Sequence, residues 1–354
     1  MKVAIILMTI FLVGAFALPT NFDARTQWPG CVNTILDQEQ CGSCWDFCSV
    51  ESFANRMCIT GEASGSTIIS PEPILECSRY GCGGGYPKTA WNYLINTGGT
   101  TCTNLCKGGC APYDSGAGTS PACHAGKCDS GAAQPVTYYA GSFQSLSRNV
   151  NQIQTELYNN GPLQACFTVY NNFYTYFSLH PKGIYTAESG SNLGGHCVKL
   201  VGWGVDSGQD YWLFANSWGT SWGDSGFFRM ARGTNLCGIE NQVTEGFTKK
   251  QTIAHGIAMG TINITNEIMT GGWTNQQSVE DFEAEVIAAL DLAIPEKIVD
   301  HIVRSVETQV VAGINYRVQS VATLEDGEKV KVVSQIHRNL AGEISLMSKH
   351  ISPL

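Results

Sequence analysis

The sequence predicts an α+β protein in two parts, and three observations carry that prediction. At 354 residues the chain is long enough for more than one core. From Asp46 to Arg56 there is no Gly or Pro, and Phe47, Val50, Phe53 and Ala54 fall at helical spacing, whereas the mostly apolar run headed by His196 reads as a buried strand. Near the C-terminus one amphipathic helix precedes four β-rich runs, which suggests a separate helix-and-sheet module.

Taken in order, Lys2 precedes the apolar run Val3 to Val13, and Ala15-Phe16-Ala17 stands before Leu18-Pro19. That pattern predicts a signal peptide over residues 1–17. The run falls short of the about 20 residues a membrane span needs, and no other stretch could serve. The 15 cysteines suit an oxidising compartment, so the expected route is the secretory pathway, ending in lysosome-like vesicles or outside the cell. Net charge is −9, and acidic residues outnumber basic ones in both parts (17 to 13 over 18–250, 12 to 7 over 271–354). A phosphate backbone needs a basic stripe, so nucleic acid is not an expected partner.

The chemistry is concentrated in three segments. Gln38-Glu39-Gln40-Cys41-Gly42-Ser43-Cys44 runs into Trp45 and the predicted helix. Cys44 thus sits at a helix N-terminus, where unpaired N–H groups and the peptide dipoles favour a thiolate. Gly194-Gly195-His196 supplies a candidate base, and Asn216-Ser217-Trp218-Gly219 a candidate orienter for its ring.

Together these segments resemble the papain family of cysteine peptidases, and within it the cathepsin B branch, over residues 18–247. The resemblance implies a two-lobed fold, a helical lobe against a β-barrel lobe, that cleaves proteins and peptides without a cofactor or metal. It makes Cys44 the nucleophile, His196 the base paired with it as an ion pair, and Asn216 the residue that fixes the imidazole. Gln38, with the Cys44 N–H, forms the oxyanion hole, and Trp218 covers the Asn–His contact. Gly84 and Gly85, in Cys82-Gly83-Gly84-Gly85-Tyr86-Pro87, match the wall on which a substrate backbone pairs as an added strand. The resemblance also pairs Cys31 with Cys58 and Cys41 with Cys82. Cys77, Cys102, Cys106, Cys110, Cys123 and Cys128 supply further bridges whose arrangement spacing leaves open. A zinc site at Cys102, Cys106 and Cys110 is the weaker reading in a secreted chain. Cys48, Cys166, Cys197 and Cys237 lie in apolar segments and are expected as buried free thiols.

Two departures from the branch shape the expected specificity. The loop Pro112 to Cys128 is short and holds only His124, where the branch carries paired histidines that capture a terminal carboxylate. An open cleft and endopeptidase action follow. Gln242, after Cys237-Gly238-Ile239-Glu240, stands where the branch has an acidic residue at the base of its second subsite. Burying an arginine there unpaired is costly, so apolar residues are preferred. Asp46, two residues past Cys44, replaces a small apolar residue.

Leu18 to Arg25 already resembles the start of a mature cathepsin B, so no prosegment is expected between signal and enzyme. Residues 248–270 read as a polar linker with a glycosylation sequon at Asn263. Beyond them, Val279, Phe282, Val286 and Leu290 mark a helix capped by Ser278 and stopped by Pro295, with Glu280, Asp281, Glu283 and Glu285 on its outer face. The strands expected next are Ile302 to Val311, Tyr316 to Thr323, Val330 to His337 and Glu343 to Ile351. Residues 271–354 resemble the cystatins, particularly the stefin type: one helix on a four-stranded antiparallel sheet. The carriers are Gly271 and Gly272, the pentapeptide Gln309-Val310-Val311-Ala312-Gly313, and Leu340-Ala341-Gly342, where a stefin favours proline at the Ala341 position. The resemblance implies a wedge that inhibits papain-like peptidases, with its own peptidase part within reach. The alternative is an inhibitor protein whose peptidase part is a scaffold.

Overall fold

The computed structural model describes residues 17–354 apart from 33, 125–126, 133–135, 147, 255–259, 262–266, 275–276, 278 and 295–297. Residues 1–16 of the expected signal peptide, Asn263, Ser278 and Pro295 lie outside the described residues.

Cys44–Ile59 is the central helix. Every residue from Cys44 to Met57 is buried, including Asp46, Glu51 and Arg56, so it has no solvent face and an apolar stripe understates its burial. Its first turns pack into a core with Leu75, Trp91, Leu94 and Phe143, which forms the helical lobe. Its last turn is tied to the other lobe by Arg56. That guanidinium donates to the carbonyls of Gly161 (3.0 Å) and Pro162 (2.8 Å) and pairs with Glu245 at 3.1 Å, both side chains fully buried.

The second lobe is a curved sheet. Its strand order is Gly260–Thr261, Ala140–Ser145, Val243–Thr248, Leu163–Tyr170, Asn192–Asp206, Gln209–Ala215, Phe227–Ala231, Ile184–Tyr185, with Phe22–Asp23 paired onto Asn192–Asp206. Aromatic rings pack against it: Phe173, Phe177, Tyr185, Trp222 and Phe228 contact one another mostly edge-on or tilted, with Phe173 and Trp222 stacked.

Described residues of the stretch expected to be a polar linker are anchored. Residues Lys249–Ala254 form a helix, and Thr252 donates from its hydroxyl to the Thr248 carbonyl at 2.9 Å. Gly260–Thr261 then adds a parallel strand beside Ala140–Ser145.

The C-terminal part is a four-stranded antiparallel meander, Ile298–Val311, Gly313–Leu324, Lys329–Arg338 and Ile344–Pro353, under the helix Glu283–Ala293. The expected four strands and one helix are present, but the turn Val279–Phe282 is a 3-10 helix that precedes the α-helix. Glu285 is also not on the outer face: it is buried, where Arg338 and the Tyr316 hydroxyl donate to it. Among the described residues, no helix is long and apolar enough to cross a membrane.

Six bridges form among the described residues: Cys31–Cys58, Cys41–Cys82, Cys77–Cys123, Cys102–Cys106, Cys110–Cys128 and Cys166–Cys197. The last corrects the expectation of free thiols at Cys166 and Cys197. These residues face each other on neighbouring antiparallel strands with Cα atoms 4.0 Å apart, so the register brings the sulfurs together. Cys44, Cys48 and Cys237 remain free and buried. Bridging also consumes the three sulfurs that a zinc ion would need at Cys102, Cys106 and Cys110.

Candidate active site

Three elements meet at the junction of the lobes. Cys44 is the first residue of the central helix, His196 lies on the strand Asn192–Asp206, and Asn216 follows the strand Gln209–Ala215, which pairs with it. His196 Nε2 donates to Asn216 Oδ1 at 2.8 Å, and the Ser217 N–H donates to the same oxygen at 2.9 Å. The Ser217 contact identifies that atom as oxygen, so Nε2 carries the proton and Nδ1 is left as the basic nitrogen. Nδ1 is buried and has no hydrogen-bond partner. Trp218 stacks over the imidazole with ring centroids 4.8 Å apart, which keeps water from the Asn–His bond.

Gln38 is fully buried beside this group. Its Oε1 accepts from Ser217 Oγ at 2.8 Å, its Nε2 donates to the Cys41 carbonyl at 2.9 Å, and Tyr113 donates to its backbone carbonyl at 2.7 Å. Ser217 and Tyr113 escaped the sequence reading because each partner lies far off in the chain and no local pattern marks it. Asp46, the odd residue, is fully buried with both carboxylate oxygens unpartnered, and burial, then Glu72, pushes its pKa well up.

The cleft is filled by the chain itself. Thr270 pairs antiparallel with Gly85: the Gly85 N–H donates to the Thr270 carbonyl at 2.9 Å and the Thr270 N–H to the Gly85 carbonyl at 3.0 Å. The next amide, Gly271 N–H, donates to the Gly195 carbonyl at 2.8 Å. A Cβ on Gly84 would overlap the backbone of Gly272, and one on Gly271 would overlap the Gly42 carbonyl, so glycines on both sides permit this approach. The Thr270 hydroxyl lies against the Cys44 sulfur. Ile268 packs on Cys44, Cys48, Cys166 and Cys197, and its N–H donates to Gln242 Oε1 at 3.4 Å.

The expected wedge residues sit along the same cleft. Gln309 donates to the carbonyls of Cys82 and Gly271, each at 2.7 Å. The Ala312 N–H donates to the Glu39 carbonyl at 2.9 Å, and Tyr174, which stacks on Trp218, donates to the Gly313 carbonyl at 2.7 Å. Val310 and Val311 are fully buried, and Val310 belongs to a core continuous with that of the β lobe. Leu340, Ala341 and Gly342 line a shallow cavity with Tyr174 and Ser178. His124 lies away from these groups, exposed, with Nδ1 2.9 Å from Glu76 Oε2.

This cover changes the charge state. Burial pushes the Cys44 thiol up to about 11 and the His196 imidazole down to about 4, although Asn216 opposes the latter. In the covered form both groups are neutral near pH 7, in place of the expected ion pair.

Comparison with known proteins covers the first two thirds of the chain. Residues 18–247 match the model of the papain family cysteine proteases. Cathepsin B-like cysteine proteinase 4 of Caenorhabditis elegans is 40% identical over 260 residues, 66% of this chain and 76% of its own length. The gut-specific cysteine proteinase of the same organism is 40% identical over 249 residues, 66% of this chain and 74% of its own. Among solved structures, procathepsin B S9 from Trypanosoma congolense superposes with a TM-score of 0.58 at 33% identity, covering 66% of this chain and 78% of that one.

Proposed function

The chain belongs to the papain family and is a cathepsin B-like cysteine peptidase; from that premise we propose an endopeptidase silenced in cis by a cystatin-like C-terminal domain. With the cleft free, Cys44 transfers its proton to His196 Nδ1 and attacks the substrate carbonyl. The oxyanion that forms is held by the Cys44 N–H and Gln38 Nε2, which must turn from the Cys41 carbonyl to reach it. His196 then protonates the leaving amine, and water hydrolyses the thioester. Asn216 keeps the ring oriented throughout.

The observation that carries silencing is the strand from Ile268 to Gly272, which occupies the wall glycines and seals the Cys44 sulfur. Gln309, Ala312 and Gly313 reinforce it from where Ile298–Val311 turns into Gly313–Leu324, and Leu340 to Gly342 line a cavity beside Tyr174. The test compares peptide turnover of the full chain with that of a chain ending after Thr261, which keeps the strand Gly260–Thr261 in place. The shorter chain should turn over peptide at least tenfold faster; equal rates would remove the silencing proposal.

Specificity follows from Gln242. Neutral and bonded to the Ile268 N–H, it offers no charge to an arginine. We therefore expect leucine or valine to outperform arginine at that subsite, and Gln242→Glu to raise arginine cleavage about tenfold. Blocked peptides cut internally, with little release of C-terminal dipeptides, would fit the cleft without a histidine clamp.

A further inference from the structure

The silencing segment pairs its backbone with the wall expected to receive a substrate, and that raises the question of why it is not cut. An extended segment held by backbone pairing offers a neighbouring nucleophile the carbonyl that its register brings alongside. Thr270 is the paired residue here, the Gly271 N–H is bonded beside His196, and the Thr270 side chain touches Cys44. The bond in register is therefore Gly271–Gly272.

Two features withhold it. Gly271 has φ +65°, a left-handed turn that a bound extended substrate does not make, and it swings the carbonyl toward Gly42. There the oxygen accepts from Gln309 Nε2, while Gln38, the oxyanion-hole donor, remains bonded to Cys41. Gln309 is itself held at both ends. Its Nε2 also donates to Cys82, and its Oε1 accepts from Asn315 Nδ2 at 2.9 Å, with Asn315 Oδ1 bonded to His337 Nδ1 at 2.8 Å. With the carbonyl captured, no charge developing on it meets the donors that would stabilise it.

We propose that Gly271–Gly272 is a latent self-cleavage bond of this chain and that Gln309 is the latch that keeps it whole. This rests on the assignment of Cys44 as nucleophile and of the strand as its cover. When the latch opens, the Gly271 carbonyl turns toward Gln38 and the Cys44 N–H. The sulfur adds to its carbon, the bond to the Gly272 nitrogen breaks, and His196 gives that nitrogen its proton. Water then hydrolyses the thioester, leaving a carboxylate on Gly271 and a new amino terminus on Gly272. The cut severs Ile268 to Gly271 from the C-terminal sheet, so the segment in the cleft loses one of its two moorings and keeps only that at Gly260–Thr261.

The test uses full-length protein carrying Gln309→Leu or, as an unbranched replacement, Gln309→Met, each checked for an unchanged thermal transition. Either variant loses three neutral hydrogen bonds, the one to the Gly271 carbonyl among them, so a fragment beginning at Gly272 should accumulate about tenfold or more faster than in the unaltered chain. The readout is intact mass and N-terminal sequencing. Adding Cys44→Ala to either variant should abolish the fragment. Chains that stay whole, a cut elsewhere, or a fragment that persists without the Cys44 sulfur would each overturn the latch. Those results leave silencing standing, because that is judged separately by turnover of the chain ending after Thr261.

Discussion

Asp46 is the residue whose chemistry is least settled by its surroundings. Its carboxyl is buried without a hydrogen-bond partner, and desolvation, then the charge of Glu72, raises its pKa well above the usual value of 3.8. A folded state that holds this proton is favoured below the ordinary carboxyl pKa, and the advantage is lost as pH rises toward the folded value. Asn keeps the shape without the titration. Asp46→Asn should therefore stabilise the protein at pH 7 by on the order of 1 kcal/mol, with the gap closing near pH 4, as thermal unfolding across pH would reveal. Other single residues were readable in advance to very different degrees. Cys44, His196 and Asn216 stand inside long local motifs, so their meeting was visible before any coordinates. The paired state of Cys166 and Cys197 was not, because it depends on the register of two strands and not on spacing.

At the scale of elements, the two lobes meet along the central helix, and one ion pair fastens its end. Arg56 and Glu245 are both wholly removed from solvent, and burial pulls the guanidinium pKa down while Glu245 pulls it back up. Removing one partner strands the other charge among carbonyls and aromatic rings. Glu245→Ala should cost about 3–5 kcal/mol in chemical denaturation, whereas a surface pair such as Lys182–Asp224 should cost almost nothing. The helix and strand runs were legible from periodicity, including all four strands of the tail. Periodicity failed where burial was set by distant partners: it put Glu285 outside, although Arg338, 53 residues on, draws it inward. It likewise read residues 248–270 as a polar linker, since two-residue pairing such as Gly260–Thr261 has no sequence signature.

The whole molecule is two modules that share a core and a cleft. Both carry more acid than base, so long-range attraction does not hold them together. Backbone pairing at Gly85 and Gly195 and apolar burial of Val310 do so instead. Because the cover is intramolecular, full-length turnover per molecule should stay flat across a hundredfold or so range of protein concentration, and this is checked by progress curves at several enzyme levels. The papain-like family of the first two thirds was legible from its motifs. The tail's fold was legible as well, but the path of Ile268 to Gly272 through the cleft was not. That path is fixed by shape complementarity between glycines more than 180 positions apart.

The strand in the cleft is moored at both ends, by Gly260–Thr261 on one sheet and by Trp273 and Gln277 beside Ile298–Val311 on the other. On the proposed silencing, a guard built this way is made one to one with what it guards, and only breaking the tether or prying the sheet loose would take it off.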